Sequence, residues 1–137
     1  MVIGYTTGVF DLFHIGHLNI LKTSKSMCDR LIVGVTADEL ILKYKKKNPV
    51  IPFNERIKIV QGIEYVDLAV SQESMNKLEA WKRIKFNIMF VGDDWYKSEK
   101  WVSIEKELSA VGVPVLYFPY TQTTSSTLIN QILVEKR

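Results

Sequence analysis

The sequence is poor in cysteine, with Cys28 alone among its 137 residues. One cysteine excludes an intramolecular disulfide framework and is typical of a reducing compartment, so we expect a cytoplasmic protein. Long apolar runs are also missing, because the longest fall far below the ~20 residues that cross a bilayer. Residues 1–6 lack the basic start and cleavage site of a secretory signal. We therefore expect no membrane partner.

The sequence also lacks a strong excess of one charge. Eighteen Lys and Arg against fifteen Asp and Glu give a net charge of +3, which is too small to indicate a nucleic-acid partner. The hydrophobic fraction of 47% and the charged fraction of 24% are those of an ordinary globular protein rather than a disordered one. Without a linker, repeat or low-complexity tract, residues 1–137 are expected to form one domain.

Short apolar runs alternate with amphipathic segments along the chain. Runs rich in β-branched residues predict five buried strands, at 2–7, 31–35, 66–70, 88–91 and 114–118. Apolar residues at helical spacing predict helices around 15–21, 57–63, 78–84, 104–108 and 128–133. Gly112 is expected to end the fourth of these helices, and Ser125 or Ser126 to cap the last. The alternation predicts an α/β fold with a mostly parallel sheet and right-handed crossovers.

Ligands of such sheets bind beyond the carboxyl ends of the strands, and both histidines of the sequence follow the first strand, at His14 and His17. They lie one turn apart at a helix N-terminus, where free N–H groups and the helix dipole attract anions. Gly16 between them leaves room for a ligand. Two imidazoles there can donate hydrogen bonds to a phosphate in a transition state. A metal site, for which no further ligand lies nearby, and plain polar residues at a helix start remain alternatives.

The stretch Gly8-x-Phe10-Asp11-x-x-His14-x-Gly16-His17 resembles the signature of the cytidylyltransferase family, within the H-x-G-H nucleotidyltransferases. The resemblance extends over nearly the whole chain and is strongest to the glycerol-3-phosphate branch of the family. It implies a Rossmann-like, three-layer α/β fold whose five-stranded parallel sheet has the order 3-2-1-4-5. It also implies that both histidines stabilise the α-phosphate of CTP and that Asp11 organises the loop. Further nucleotide contacts are then expected from Thr7, Gly8, Val9 (where the family often has Thr), Phe10 and Gly16.

A run of lysines places four ammonium groups within five residues, at positions 43, 45, 46 and 47. Such a run is typical of a solvated face, and a mobile electropositive flap over a polyphosphate is the alternative. Similar enzymes carry a K-x-K pair here that grips the triphosphate and the incoming phosphate. By this resemblance Lys43 and Lys45 take a catalytic role. Lys46 replaces one of them if the extra residue before Pro52 shifts the register.

The sequence Gly92-Asp93-Asp94-Trp95 follows the fourth strand. Carboxylates at this place can accept hydrogen bonds from ribose hydroxyls, and an indole can shape a pocket. A simple turn is the alternative. The stretch closely resembles the cytidylyltransferases, whereas relatives that transfer adenylyl groups usually differ here. Gly92, Asp94 and Trp95 are therefore expected to bind the nucleotide and to favour cytidine.

A cluster of hydroxyl residues follows the fifth strand and predicts a second phosphate cradle, with a plain loop and cap as the alternative. The family has R-T-x-G-I-S-T-T here, and by resemblance the nucleotide contacts are Thr121, Ser125, Ser126 and Thr127. Tyr120 stands in place of the family arginine.

A second family arginine is also missing. Glu64 replaces the arginine of an R-Y-V-D sequence that lies near the dimer interface and active site of similar enzymes. Arg56 matches a family arginine and is a candidate to supply part of the missing positive charge. The two departures bear on which phosphorylated substrate the chain accepts.

The residues support transfer between two anions better than covalent catalysis, because no nucleophile–base pair, Walker A sequence or G-x-G-x-x-G is present. Such transfer needs alignment and charge neutralisation, and a phosphomonoester with a second pKa of about 6 needs no general base. We expect CMP transfer from CTP to a phosphorylated small alcohol, with release of pyrophosphate. Glycerol 3-phosphate is the leading acceptor, and the product a precursor of a cell-surface polymer.

The family resemblance also implies Mg²⁺, bound mainly through the CTP phosphates, and a homodimer. Three alternatives to this reaction remain. The acceptor can be phosphoethanolamine or phosphocholine, the chain can be a related adenylyltransferase that uses ATP, or it can be a nucleotide-binding module without catalysis.

Overall fold

The computed structural model describes residues 1–92 and 98–119. Strands and helices alternate through this part of the chain. In chain order they are β1 (Ile3–Gly8), α1 (Ile15–Ser26), β2 (Arg30–Thr36), α2 (Asp38–Lys45), α3 (Phe53–Gln61), β3 (Leu68–Gln72), α4 (Lys77–Ile84), β4 (Ile88–Gly92), α5 (Glu99–Ser109) and β5 (Val115–Phe118).

The five strands form one parallel sheet in the order β3-β2-β1-β4-β5, which confirms the predicted order. The strand order reverses between β1 and β4, because β2 and β3 follow on one side of β1 whereas β4 and β5 follow on the other. Their pairing covers Gly4 with Ile88 and Tyr5 with Met89. Beyond these pairs the Thr6 hydroxyl donates to the Phe90 carbonyl at 2.9 Å. The strand pairing recorded between β1 and β4 thus ends before the carboxyl half of β1, which lies at the switch point where α/β sheets bind ligands.

Helices cover both faces of the sheet, so the predicted three layers are confirmed. Side chains of β2 alternate, and its inward Leu31, Val33 and Val35 share a buried cluster with Leu21 of α1 and Val60 of α3. The opposite face packs against α4 and α5 through a second cluster: Tyr5, Phe86, Met89, Val91, Trp101, Ile104, Leu108 and Val113. Among the described helices, none has the length and apolar character needed to span a membrane.

Some boundaries differ from the sequence prediction. β3 begins two residues later than expected, because the Asp67 carboxylate accepts hydrogen bonds from Lys25 and from the Leu31 N–H. Gly112 has a positive φ of 79° but lies two residues after the C-cap of α5, Ala110. The sequence prediction missed α2 entirely. The helix predicted over 128–133 lies outside the described residues, as do both of its candidate caps.

Candidate active site

The loop between β1 and α1 is held in a strained conformation. Phe10 and Leu12 have positive φ values of 53° and 51°, which are costly for residues with a side chain. Asp11 lies between them, and its carboxylate accepts hydrogen bonds from the N–H groups of Val50 and Ile51, both at 2.8 Å. A Cβ on Gly8 would lie 2.9 Å from Phe10 Cε2, so this glycine allows the Phe10 ring to turn inward. The loop is thereby tied to the segment before α3.

The two histidines form the start of α1. His14 is the N-cap, and its Nδ1 accepts the Gly16 N–H at 3.0 Å. His17 Nδ1 accepts the His14 N–H at 3.2 Å, which completes a capping box. The rings stack with their centroids 3.9 Å apart. Because each Nδ1 accepts a hydrogen bond, the proton of each neutral ring is on Nε2.

Both imidazoles are uncharged at neutral pH. Burial lowers the pKa of His17 to about 4, and the adjacent His14 ring lowers it as well, against the opposing effect of Asp11. Burial also lowers the pKa of His14. The pair therefore presents two neutral Nε2–H donors at a helix N-terminus, which is a suitable arrangement for stabilising a phosphate that gains charge.

The depressed pKa of His17 predicts that acid weakens the fold. Its folded pKa of about 4 lies below the ordinary 6.5, so between these values the unfolded chain binds a proton that the folded chain does not. The free energy of unfolding should therefore fall by up to about 2 kcal/mol between pH 7 and pH 5 through this residue. Urea unfolding at several pH values measures this. The free energy of unfolding of His17→Asn should depend less on pH. An equal dependence on pH in both proteins would contradict the assignment of this effect to His17.

A buried lysine that the sequence analysis missed lies at the carboxyl end of β1. Lys77 is the first residue of α4 and is 4% exposed. Its Nζ donates to the Thr7 hydroxyl at 3.3 Å and lies 5.9 Å from the centroid of the Trp101 ring. Burial and the nearby Lys100 ammonium lower the pKa of Lys77 to about 8. The only sequence signal was a lysine at a helix start after a strand.

The lysine run extends from the last turn of α2. Lys43 and Lys45 belong to the helix, Lys46 is its left-handed C-cap, and all are exposed. The Tyr44 ring between them lies 5.7 Å from Lys43 Nζ and 5.9 Å from Lys100 Nζ at the start of α5. Because α2 follows β2 and α5 follows β4, this contact bridges the carboxyl end of β1. The run is thereby placed beside the candidate site.

The positively charged side chain of Arg56 contacts acceptors of the protein itself. The side chain is fully buried, and its guanidinium donates to the carbonyl oxygens of Val9 and Ile51 at 2.7 and 2.9 Å and pairs with Asp38. This differs from the suggestion that Arg56 replaces a missing arginine at the phosphates. Glu64 is exposed and precedes the amino end of β3, whereas the two histidines follow the carboxyl end of β1.

The other predicted site residues divide into two groups. Within the described chain, Gly16 is buried in the first turn of α1, and Gly92 ends β4 beside Phe118 of β5. The remaining predicted contacts lie outside the described residues: Asp94, Trp95, Thr121, Ser125, Ser126 and Thr127. In the described ranges no three His, Cys, Asp or Glu side chains are grouped to hold a metal. Asp11 uses both carboxylate oxygens on backbone N–H groups.

Comparisons with known proteins show what the chain is similar to in sequence and in fold. The cytidylyltransferase-like family model matches residues 5–132. An FAD synthase from Pyrococcus abyssi is 34% identical over 116 residues, covering 80% of this chain and 78% of that protein. An FAD synthase from Methanohalobium evestigatum is 39% identical over 107 residues, with coverages of 78% and 69%. The crystal structure of a lipopolysaccharide core biosynthesis protein from Thermoplasma volcanium has a TM-score of 0.74 and 26% identity, covering 90% of this chain and 99% of that one.

Proposed function

Since the chain belongs to the cytidylyltransferase-like family of nucleotidyltransferases, we propose that it transfers a nucleotidyl group from a nucleoside triphosphate to a small phosphomonoester. The observation that carries this proposal is the His14–His17 pair, whose two neutral Nε2–H donors lie at the start of α1. They adjoin the carboxyl end of β1, where the strand order of the sheet reverses and where binding clefts form in such folds.

The proposed reaction needs no proton transfer by the protein. An oxygen of the acceptor phosphate attacks the α-phosphorus, the bond from this phosphorus to the bridging oxygen breaks, and pyrophosphate leaves with the bond electrons. Negative charge spreads over the α-phosphate oxygens, to which His14 and His17 donate through Nε2. Positive charge for the triphosphate comes from the exposed lysines at the end of α2, which are Lys43, Lys45 and Lys46. We assign Mg²⁺ to the nucleotide substrate rather than to protein ligands, and it neutralises phosphate charge there.

Two nucleotides are candidates. CTP is the first, because Gly92-Asp93-Asp94-Trp95 resembles the cytidylyltransferases, and the acceptor is then glycerol 3-phosphate or a similar polyol phosphate. ATP with a flavin phosphate is the second. The relatives from Pyrococcus abyssi and Methanohalobium evestigatum favour it because both are FAD synthases, and FAD contains an adenylyl group joined to a flavin phosphate.

A matrix of substrates tests the proposal. Pyrophosphate release is measured with CTP or ATP against glycerol 3-phosphate, phosphoethanolamine, phosphocholine and flavin mononucleotide, and the product is identified by mass spectrometry. We expect CTP to exceed ATP by about tenfold or more, as specific hydrogen bonds to the base would give. Among the acceptors tested with CTP, we expect glycerol 3-phosphate to react fastest. Turnover with ATP and flavin mononucleotide alone would establish the second candidate. If no pair of substrates gives pyrophosphate release, the remaining alternative is a nucleotide-binding module without catalysis.

We further propose a homodimer in the cytoplasm, with a product that is a precursor of a cell-surface polymer. The homodimer and the product are predictions of the family resemblance, and the cytoplasmic location is a prediction from the single cysteine. Light scattering coupled to size-exclusion chromatography measures the molar mass of the assembly, and a monomer at every concentration would contradict the homodimer.

A further inference from the structure

An exposed aromatic ring lies within the positive charge at the end of α2. Tyr44 is 55% exposed, and its ring centroid is 5.7 Å from Lys43 Nζ and 5.9 Å from Lys100 Nζ. Both distances are within the ~6 Å at which an ammonium group is attracted to the negative face of an aromatic ring. One ring therefore contacts two lysines that belong to different helices, α2 and α5.

The lysines around Tyr44 have no carboxylate partner in the part of the chain that the structure describes. The ion pairs there are Lys25 with Asp67 and Arg56 with Asp38. Five exposed ammonium groups lie outside these pairs: Lys43, Lys45, Lys46, Lys47 and Lys100. Like charges on long flexible side chains repel one another and spread into solvent. The Tyr44 ring opposes this repulsion for the two lysines that it contacts.

The ammonium group of Lys100 lies near the carboxyl end of β1. It is close enough to Lys77 to contribute to the lowered pKa of that side chain, and Lys77 Nζ donates to the hydroxyl of Thr7 near the end of β1. The sequence analysis did not include Lys100 in the site, because two further strands separate it from the lysine run along the chain. The Tyr44 ring joins the two across the cleft.

We propose that Tyr44 is a positioning residue, whose ring holds the lysine run of α2 and Lys100 of α5 around the triphosphate of the bound nucleotide. This inference rests on the proposed function and adds Tyr44 and Lys100 to the site. Binding normally costs conformational entropy for every long side chain that it immobilises, and a lysine that is already confined loses less. Each ammonium can keep its contact with the ring and still donate to phosphate oxygens, because it has three N–H donors.

The test is calorimetric titration of inorganic triphosphate, which needs no turnover and does not depend on whether the natural nucleotide is CTP or ATP. Tyr44→Leu removes the ring and should weaken binding by about threefold to tenfold, as loss of two exposed cation–π contacts would. Tyr44→Phe keeps the ring and should bind within about twofold of the wild type. The matched control Leu42→Ala, at another exposed apolar position of α2, should also stay within about twofold.

Three results would overturn the proposal. Unchanged or tighter binding in Tyr44→Leu would show that the ring does not prepare the lysines for the triphosphate. Equal weakening in Tyr44→Phe would show that the aromatic face is not what matters. The third result is no binding of inorganic triphosphate to the wild type.

A double-substitution cycle tests whether Tyr44 acts through Lys100. Lys100→Met should weaken triphosphate binding severalfold through loss of one ammonium group, whereas Lys106→Met, at an exposed lysine in the last turn of α5, should stay within about twofold. In the Lys100→Met background, Tyr44→Leu should have a smaller effect than in the wild type, because one of the two ring contacts is already absent. Strict additivity would contradict the shared arrangement.

A purely structural role for Tyr44 would give a different result. Because the ring is more than half exposed, Tyr44→Leu should leave the midpoint of thermal unfolding within about 3 °C of the wild type. A larger drop in this midpoint together with unchanged triphosphate affinity would show a structural role only.

The same variants distinguish failure of this inference from failure of the proposed function. If the wild type releases no pyrophosphate with any substrate pair and Tyr44→Leu still weakens triphosphate binding, the positioning role stands and the transferase proposal fails. If turnover occurs, Tyr44→Leu should raise the KM of the nucleotide and leave that of the acceptor unchanged. A rise in the KM of the acceptor alone would leave the transferase proposal standing and overturn the role assigned to Tyr44.

Discussion

His14→Asn and His17→Asn should each lower kcat for pyrophosphate release by about 10²- to 10³-fold, the usual effect of removing one transition-state donor. Asparagine suits this test because its side-chain oxygen replaces the histidine Nδ1. The Gly16 and His14 N–H groups keep an acceptor in the respective variants. Neither asparagine has a group at the place of Nε2. The variants therefore remove the phosphate donor and keep the capping box of α1.

The controls separate catalysis from folding. Thermal unfolding of both asparagine variants should stay close to the wild type, whereas His14→Ala also loses the helix cap, worth about 1 kcal/mol. The exposed Lys22 on the same helix supplies a matched variant, Lys22→Ala, with wild-type kcat. In the double asparagine variant the losses should be less than multiplicative because the rings act as a unit. A kcat within threefold of the wild type in either single variant would refute the donor role.

The features that the sequence predicts best are local ones. The strands are contiguous apolar runs, and the histidine pair with its helix start lies in a single ten-residue segment, so neighbouring residues suffice to identify them. The helix α2 is different. It spans eight residues, and its buried side chains, Leu40 and Ile41, form no long periodic stripe. Its first residue, Asp38, contacts Arg56 and the Phe53 N–H of α3. A count of periodic apolar residues does not include such tertiary contacts.

Buried charges are what the sequence predicts worst. Lys77 resembles any solvated lysine at a helix start, and its burial is produced by Trp101, which is 24 residues away in the sequence. The tautomers of the histidines depend on which backbone N–H groups meet each Nδ1. Predicting such features requires the folded backbone, because they arise where separate helices, strands and loops come into contact.

Arg56→Met should lower the free energy of unfolding by about 3–5 kcal/mol, because two carbonyl oxygens lose a charged hydrogen-bond donor, each contact being worth about 1.5–3 kcal/mol. The substitution leaves the Asp38 carboxylate without its cation and removes the donor from the Val9 and Ile51 carbonyl oxygens. Urea unfolding measures the loss. Lys58→Met, at an exposed position of the same helix, is the matched control and should stay within about 0.5 kcal/mol of the wild type.

The consequence should extend to the active-site loop. Arg56 holds the carbonyl of Val9, two residues before Asp11, and so fixes a loop that contains two strained residues and ends at His14. Arg56→Met should therefore reduce kcat although the guanidinium does not reach the phosphates. In a cycle with Asp38→Asn the double variant should be more stable than the sum of the single losses predicts, because the pair is then removed from both sides. Strict additivity, or an Arg56→Met protein as stable as Lys58→Met, would show that the strained loop is held by other contacts.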